Sequence, residues 1–177
     1  SLFVWGPRGT GKTHFLCACL SRAVQKKFES GDLNIESIVV TRKPPVKFLP
    51  VPELLLEFKQ SYEQGSSWSE SDILDRYSAA DLLVLDDLGA ERISDWSIQM
   101  LSLLIDRRYP DMKATMISSN LRPSEIAEKL DDRIASRVIE MCHQVKLRGQ
   151  DRRIVKGSTN KQPAKRDKPT GKQAGLH

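Results

Sequence analysis

Residues 3–13 read Phe-Val-Trp-Gly-Pro-Arg-Gly-Thr-Gly-Lys-Thr: an apolar run ending at Gly6, four intervening residues, then Gly11-Lys12-Thr13. This G-x-x-x-x-G-K-S/T spacing constrains the chain more than any other feature, because it works only where a buried strand feeds a helix. Glycines at 6, 9 and 11 open backbone conformations closed to other residues, so consecutive N–H groups can converge on a polyphosphate. A helix starting near Lys12 adds its positive end. The loop Gly6, Pro7, Arg8, Gly9, Thr10, Gly11, Lys12 and Thr13 is therefore the expected nucleotide-binding element. Lys12 would reach the β- and γ-phosphates, and the Thr13 hydroxyl would ligate Mg²⁺.

The rest of the chain is read around that loop. Its 177 residues, 39% hydrophobic and 29% charged, suit one domain with a real core. No apolar run approaches the roughly 20 residues of a membrane span, and no secretory leader pattern is present. The chain is already in a strand at Leu2, so upstream sequence is expected. The net charge of +5 is uneven: beyond residue 155 lie six of the 28 basic side chains and one of the 23 acidic ones. Residues 1–155 are thus balanced, and any nucleic-acid contact there must come from a local patch. Residues 156–177 are basic and nearly free of apolar side chains, and read as a disordered tail. Cys17, Cys19 and Cys142 have no metal-ligand spacing. Cys17 and Cys19 read as small buried side chains in a reduced, cytoplasmic setting.

Hydrophobic periodicity divides residues 1–155 into alternating strands and helices. Strands are expected at 2–5, 46–49, 82–85, 114–118 and 145–147, with a further candidate at 38–41. Helices are expected at 12–29, from Pro52 to about Tyr62, from Ser69/Glu70 to Tyr77, from Ser94/Asp95 to Arg108, at 125–130 behind a Ser124 cap, and from Asp131/Asp132 to Met141. The alternation implies an α/β fold with a mainly parallel five-stranded sheet flanked by helices.

Asp86 and Asp87 follow four apolar residues and fall at the C-terminal edge of a central strand, where open α/β sheets bind ligands. One carboxylate can hold the Mg²⁺ set up by Thr13, and the other can orient or deprotonate a water. The competing reading is an acidic helix-capping turn. Asn120 ends the next strand and can position that water or touch the γ-phosphate, unless it only closes an Asx-turn. Arg133 and Arg137 lie one turn apart on a helix. They can stabilise charge on a transferring phosphoryl group, or pair at the surface with Asp131 and Asp132. Arg152 and Arg153 read equally as a surface pair.

Taken in order, Gly6–Thr13, Leu82-Leu83-Val84-Leu85-Asp86-Asp87-Leu88-Gly89, Ile117-Ser118-Ser119-Asn120-Leu121 and Asp132-Arg133-Ile134-Ala135-Ser136-Arg137 resemble the AAA+ ATPase domain of the DnaC/IstB-like family. Bacterial helicase loaders and transposition helper ATPases make up that family, and the resemblance spans roughly residues 2–153. It implies a P-loop NTPase of AAA+ type without a helical lid domain, using ATP and Mg²⁺. Lys12 and Thr13 take the Walker A roles and Asp86 is the Walker B magnesium ligand. Asp87 stands where most AAA+ proteins have a catalytic glutamate. Asn120 matches sensor 1, and Arg137 the arginine that acts on ATP held by a neighbouring protomer. Arg153 matches sensor 2, with Arg152 as the alternative.

The helices between Pro52 and Tyr77 fall where this clade approaches single-stranded DNA. Lys59 and Tyr62 are candidates for contact, the alternative being a surface lysine and a core tyrosine. The implied activity is slow ATP hydrolysis that switches a self-associated assembly, delivering a replicative helicase to single-stranded DNA in DNA replication. The alternatives are a transposition helper that recruits a transposase, and a nucleotide-switched binding module with negligible hydrolysis.

Overall fold

The computed structural model describes residues 1–31, 45–63, 67–90, 94–149 and 151. The expected strand at 38–41, the tail at 156–177, and Arg152 and Arg153 lie outside the described residues.

Five strands form one parallel sheet: β1 (Leu2–Trp5), β2 (Val46–Pro50), β3 (Leu82–Leu88), β4 (Ala114–Ser119) and β5 (His143–Lys146), in the order β2-β3-β4-β1-β5. Among the described residues six helices connect them: α1 (Lys12–Glu29), α2 (Val51–Gln60), α3 (Glu70–Ser78), α4 (Asp95–Arg108), α5 (Pro123–Lys129) and α6 (Asp132–Met141). Because every strand runs the same way, the ends of β1, β3 and β4 share one edge of the sheet.

Strand alternation assigns the two faces. Phe3, Leu83, Leu85 and Ile117 point into the larger core with Leu54, Phe58, Leu74, Leu101, Leu104 and Val138. Val4, Leu82 and Val84 point the other way, onto Leu16 with Leu20 and Ala23 of α1. On that second face α1 buries little. Leu16 is its one fully buried apolar side chain, and Phe15 and Cys17 are exposed. The expected burial of Cys17 is therefore corrected, and Cys19 is half-buried. Residues two apart on a helix do not share a face.

Helix starts follow local chemistry. The Ser69 hydroxyl accepts from the Asp72 N–H, and the Asp72 carboxylate accepts from the Ser69 N–H, at the head of α3. Ser94 and Ser97 do the same for α4. Asp131 Oδ1 accepts from the Arg133 and Ile134 N–H groups at α6. Several boundaries differ from expectation. α5 begins at Pro123 with Arg122 ahead of it, and the Glu125 carboxylate accepts from the Arg122 N–H, so Ser124 lies inside the helix and does not cap it. β5 begins two residues earlier than expected, at His143. α2 ends at Gln60, leaving Tyr62 beyond the helix and off its buried stripe of Leu54, Leu55 and Phe58.

Candidate functional site: a phosphate loop facing an acidic pair

The loop leaves β1 at Gly6. A Cβ there would fall 2.2 Å from the carbonyl oxygen of Leu147, so only glycine fits beside the strand next door. Gly9 has φ 72°, and a Cβ on it would fall 1.9 Å from a carboxylate oxygen of Asp151, which lies against the loop. The Thr10 hydroxyl donates to the Pro7 carbonyl at 2.8 Å and braces the turn. α1 then starts with no side-chain cap and no acid in its first turn, unlike α3, α4 and α6. Its first N–H groups have no acceptor within the helix itself, as at any helix start, and they follow directly on the phosphate loop.

Lys12 and Thr13 reach across to the ends of β3 and β4. Lys12 is buried, and its Nζ donates to the Pro7 carbonyl at 3.0 Å and to Asn120 Oδ1 at 2.6 Å. Thr13 Oγ1 donates to Asp86 Oδ2 at 2.8 Å. Asn120 Nδ2 donates to Asp87 Oδ1 at 2.9 Å. Ser118 Oγ donates to Asp86 Oδ1 in a short hydrogen bond and accepts from the Asp87 N–H at 2.9 Å. The structure thus brings together five of the predicted side chains, Lys12, Thr13, Asp86, Asp87 and Asn120, in one network.

Two adjacent aspartates in a regular strand would point to opposite faces. Here β3 does not end before them but continues to Leu88, and its register against β4 slips between Leu85 and Leu88. Leu85 pairs with Ile117 and Leu88 with Ser119, so β3 carries one residue more than its partner. Asp87 absorbs the extra residue at φ 64°. The bulge re-aims the pair, as bulges beside functional sites commonly do, and both carboxylates join the same network.

The donor set suits Mg²⁺. A hydroxyl and a carboxylate oxygen already touch, and both are hard oxygen ligands. Among the described residues no group of three or more His, Cys, Asp or Glu could hold a metal. Such a pair binds Mg²⁺ together with the oxygens of a nucleotide rather than alone.

The family model for "IstB-like ATP binding protein" matches residues 1–160. The chain belongs to this IstB-like family. It is 26% identical over 165 residues to the replicative helicase loader DnaI of Bacillus subtilis (strain 168), covering 86% of this chain and 47% of the relative. It is 24% identical over 133 residues to the replicative helicase loader DnaC of Escherichia coli (strain K12), covering 75% of this chain and 47% of the relative. This IstB-like chain thus spans under half the length of both loaders. A crystal structure of the DnaC helicase loader superposes with a TM-score of 0.66 at 26% identity, over 83% of this chain and 77% of that one. The fold is that of the AAA+ P-loop ATPases.

Other expected side chains of the IstB-like chain stand apart from this network. Pro7 joins it through its carbonyl alone, and the Pro7 and Arg8 residues are exposed. Arg133 and Arg137 do not pair with Asp131 or Asp132. Both close on Asp106 of α4, while Asp131 is spent on capping α6. Tyr62 is 60% exposed, which removes the core-tyrosine alternative. Its hydroxyl donates to Glu70 at 2.8 Å and accepts from the Trp96 indole N–H at 3.2 Å. Lys59 Nζ stands 5.7 Å from the Trp96 ring centroid.

Sequence reasoning missed Ser118, Asp106, Trp96 and Asp151. Ser118 had a signal: a hydroxyl near the end of a buried strand must find a partner. Asp106 and Trp96 had none, because their partners lie far away along the chain.

Proposed function

We propose that the chain binds ATP with Mg²⁺ and hydrolyses it slowly, as the nucleotide switch of a cytoplasmic assembly that acts on DNA. The observation that carries this reading is the continuous network from Lys12 through Asn120 to Asp87, beside the Thr13–Asp86 pair. A triphosphate entering the Gly6–Thr13 loop would draw Lys12 off Asn120 and onto the β- and γ-phosphates. Asn120 Oδ1 would then be released to accept from a water. Asp87, in contact with the same asparagine, would orient that water or take its proton as its oxygen attacks the γ-phosphorus and ADP leaves. Mg²⁺, when bound by Thr13 and Asp86, supplies charge neutralisation on the phosphates. Arg137 of a neighbouring copy serves the γ-phosphate in trans, and Arg153, with Arg152 as the alternative, serves it from the same chain.

The kinship to DnaI and DnaC supports delivery of a replicative helicase to single-stranded DNA. Lys59, Tyr62 and Trp96, a cation beside two aromatic rings, form the surface best suited to stack and neutralise a single strand. The basic residues beyond 155 add backbone contacts by counterion release. The IstB-like family match favours a second reading, a transposition helper that recruits a transposase.

Steady-state phosphate release, measured with and without single-stranded DNA, tests the enzyme assignment. The chain should release phosphate above the Lys12→Ala background and faster with DNA. ATP binding with release no greater than Lys12→Ala would leave only a nucleotide-switched binding module.

A further inference from the structure

The two arginines of α6 converge on one carboxylate near the end of α4. Arg133 Nη2 lies 2.7 Å from Asp106 Oδ2, and Arg137 Nη1 pairs with Asp106 Oδ1. Their surroundings differ. The Arg133 side chain is 62% exposed, whereas those of Arg137 and Asp106 are 21% and 20% exposed. The Arg137 guanidinium also lies over the Tyr109 ring, 5.2 Å from its centroid. Tyr109 in turn donates its hydroxyl to Glu140 Oε2 at 2.6 Å, and Glu140 stands on α6 beside Arg137. The clamp therefore closes on itself: the acid from α4 and the ring from the residue that caps it, the arginine and second acid from α6.

A guanidinium is a rigid plane with five donors. Asp106 engages it at Nη1 and Tyr109 covers one face. Among the described residues no other acceptor takes its remaining donors. An arginine so held has already lost its rotamer freedom, which an arginine serving a reacting group must otherwise give up on each turnover. We propose that Asp106, backed by Tyr109, is the positioning residue for Arg137, fixing its guanidinium to serve the nucleoside triphosphate bound by a second copy of this chain. This rests on the reading of Arg137 as acting in trans.

The test uses the full chain under conditions where copies assemble, with ATP turnover, ATP affinity and melting midpoint measured together. Asp106→Asn should lower kcat about tenfold or more with the KM for ATP unchanged. Arg137→Ala should lose more, and the double variant should be no worse than Arg137→Ala alone. Mixing Asp106→Asn with Asp86→Ala, which keeps a positioned Arg137 but has a damaged site of its own, should restore turnover at mixed interfaces. A merely structural tie between α4 and α6 would show no such rescue. Should Asp106→Asn fail to fold, Tyr109→Leu must give the same rescuable, kcat-only defect. Asp106→Asn turnover within twofold of the parent, additive losses in the double variant, or no rescue at any ratio would each overturn the assignment of Asp106. Full turnover by Arg137→Ala would instead sink the trans reading itself, and the inference with it.

Discussion

Asp87 sits at φ 64°, a left-handed backbone conformation that costs most side chains roughly 1–2 kcal/mol and that Asp and Asn tolerate best. The strain persists because the bulge is held at both sides, by Ser118 on the Asp87 N–H and by Asn120 on its carboxylate. Asp87→Asn is therefore a clean probe. It keeps the shape, the tolerance of the left-handed backbone and an oxygen to accept from Asn120, and removes only the base. Phosphate release should fall by about hundredfold or more, while ATP affinity stays within about twofold. Turnover retained in Asp87→Asn would mean that the carboxylate neither orients nor deprotonates the water. The identity of Asp86, Asp87 and Asn120 as site residues was legible in the sequence, because the aspartates follow a run of apolar side chains and Asn120 closes the next segment that reads as a strand. What the letters could not convey was how two consecutive residues of one strand come to act together, since the bulge is defined by register against β4, a distant segment.

At the scale of the elements, α4 is held at its end by a buried cation. Arg108 is 1% exposed and donates to the carbonyls of Tyr77, Ser78, Ala80 and Ala114 and to the Thr115 hydroxyl, at 2.7–3.1 Å. Burial pulls its guanidinium down to about 10, still protonated at neutral pH. Arg108 thus satisfies the last carbonyls of α3 and ties that helix to the start of β4, at the edge of the sheet opposite the phosphate loop. Arg108→Met would leave several buried acceptors unpaired at about 1–3 kcal/mol each, a total of at least about 3 kcal/mol. Arg108→Lys, which keeps the charge but not the fork, should lose less. Urea unfolding of the two variants checks this, and ATP affinity of whatever remains folded should be unchanged, because the clamp and the site share no side chain. Helix periodicity showed that α4 has a buried stripe, yet an arginine at the end of a helix reads locally as a solvated partner for the dipole. The same limit explains α1: its apolar stripe from Phe15 to Val24 was visible, but how much of it a neighbour covers depends on the sheet face beneath. Tyr62 was misplaced for a third reason, since α2 stops two residues short of it.

For the molecule as a whole, one sheet shared by all five strands makes stability a collective property, and its alkaline limit can be traced to identified side chains. Cys142 closes α6 and leads into β5, and burial pushes its thiol up to about 11 from an ordinary value near 9. Burial likewise raises Tyr77, helped by its hydrogen bonds to Glu57. In both cases the folded state favours the protonated, neutral form. Their stabilisation is fully present below the unfolded-state value and is lost as pH rises through the folded one. For Cys142 that window runs from about pH 9 to about pH 11, and two pKa units correspond to roughly 2–3 kcal/mol. The Tyr77 window begins near pH 10 and extends beyond that of Cys142, so subtraction must isolate the thiol. Cys142→Ala lacks the titrating group but retains Tyr77. At pH 8 it should be the less stable protein, having lost a buried sulfur. Between pH 9 and pH 11 the parent should lose its advantage by about 2–3 kcal/mol, so that the two stability curves converge or cross. Parallel curves across that range, measured by urea unfolding at each pH, would show that the thiol stays neutral in both states or is already exposed in the folded one.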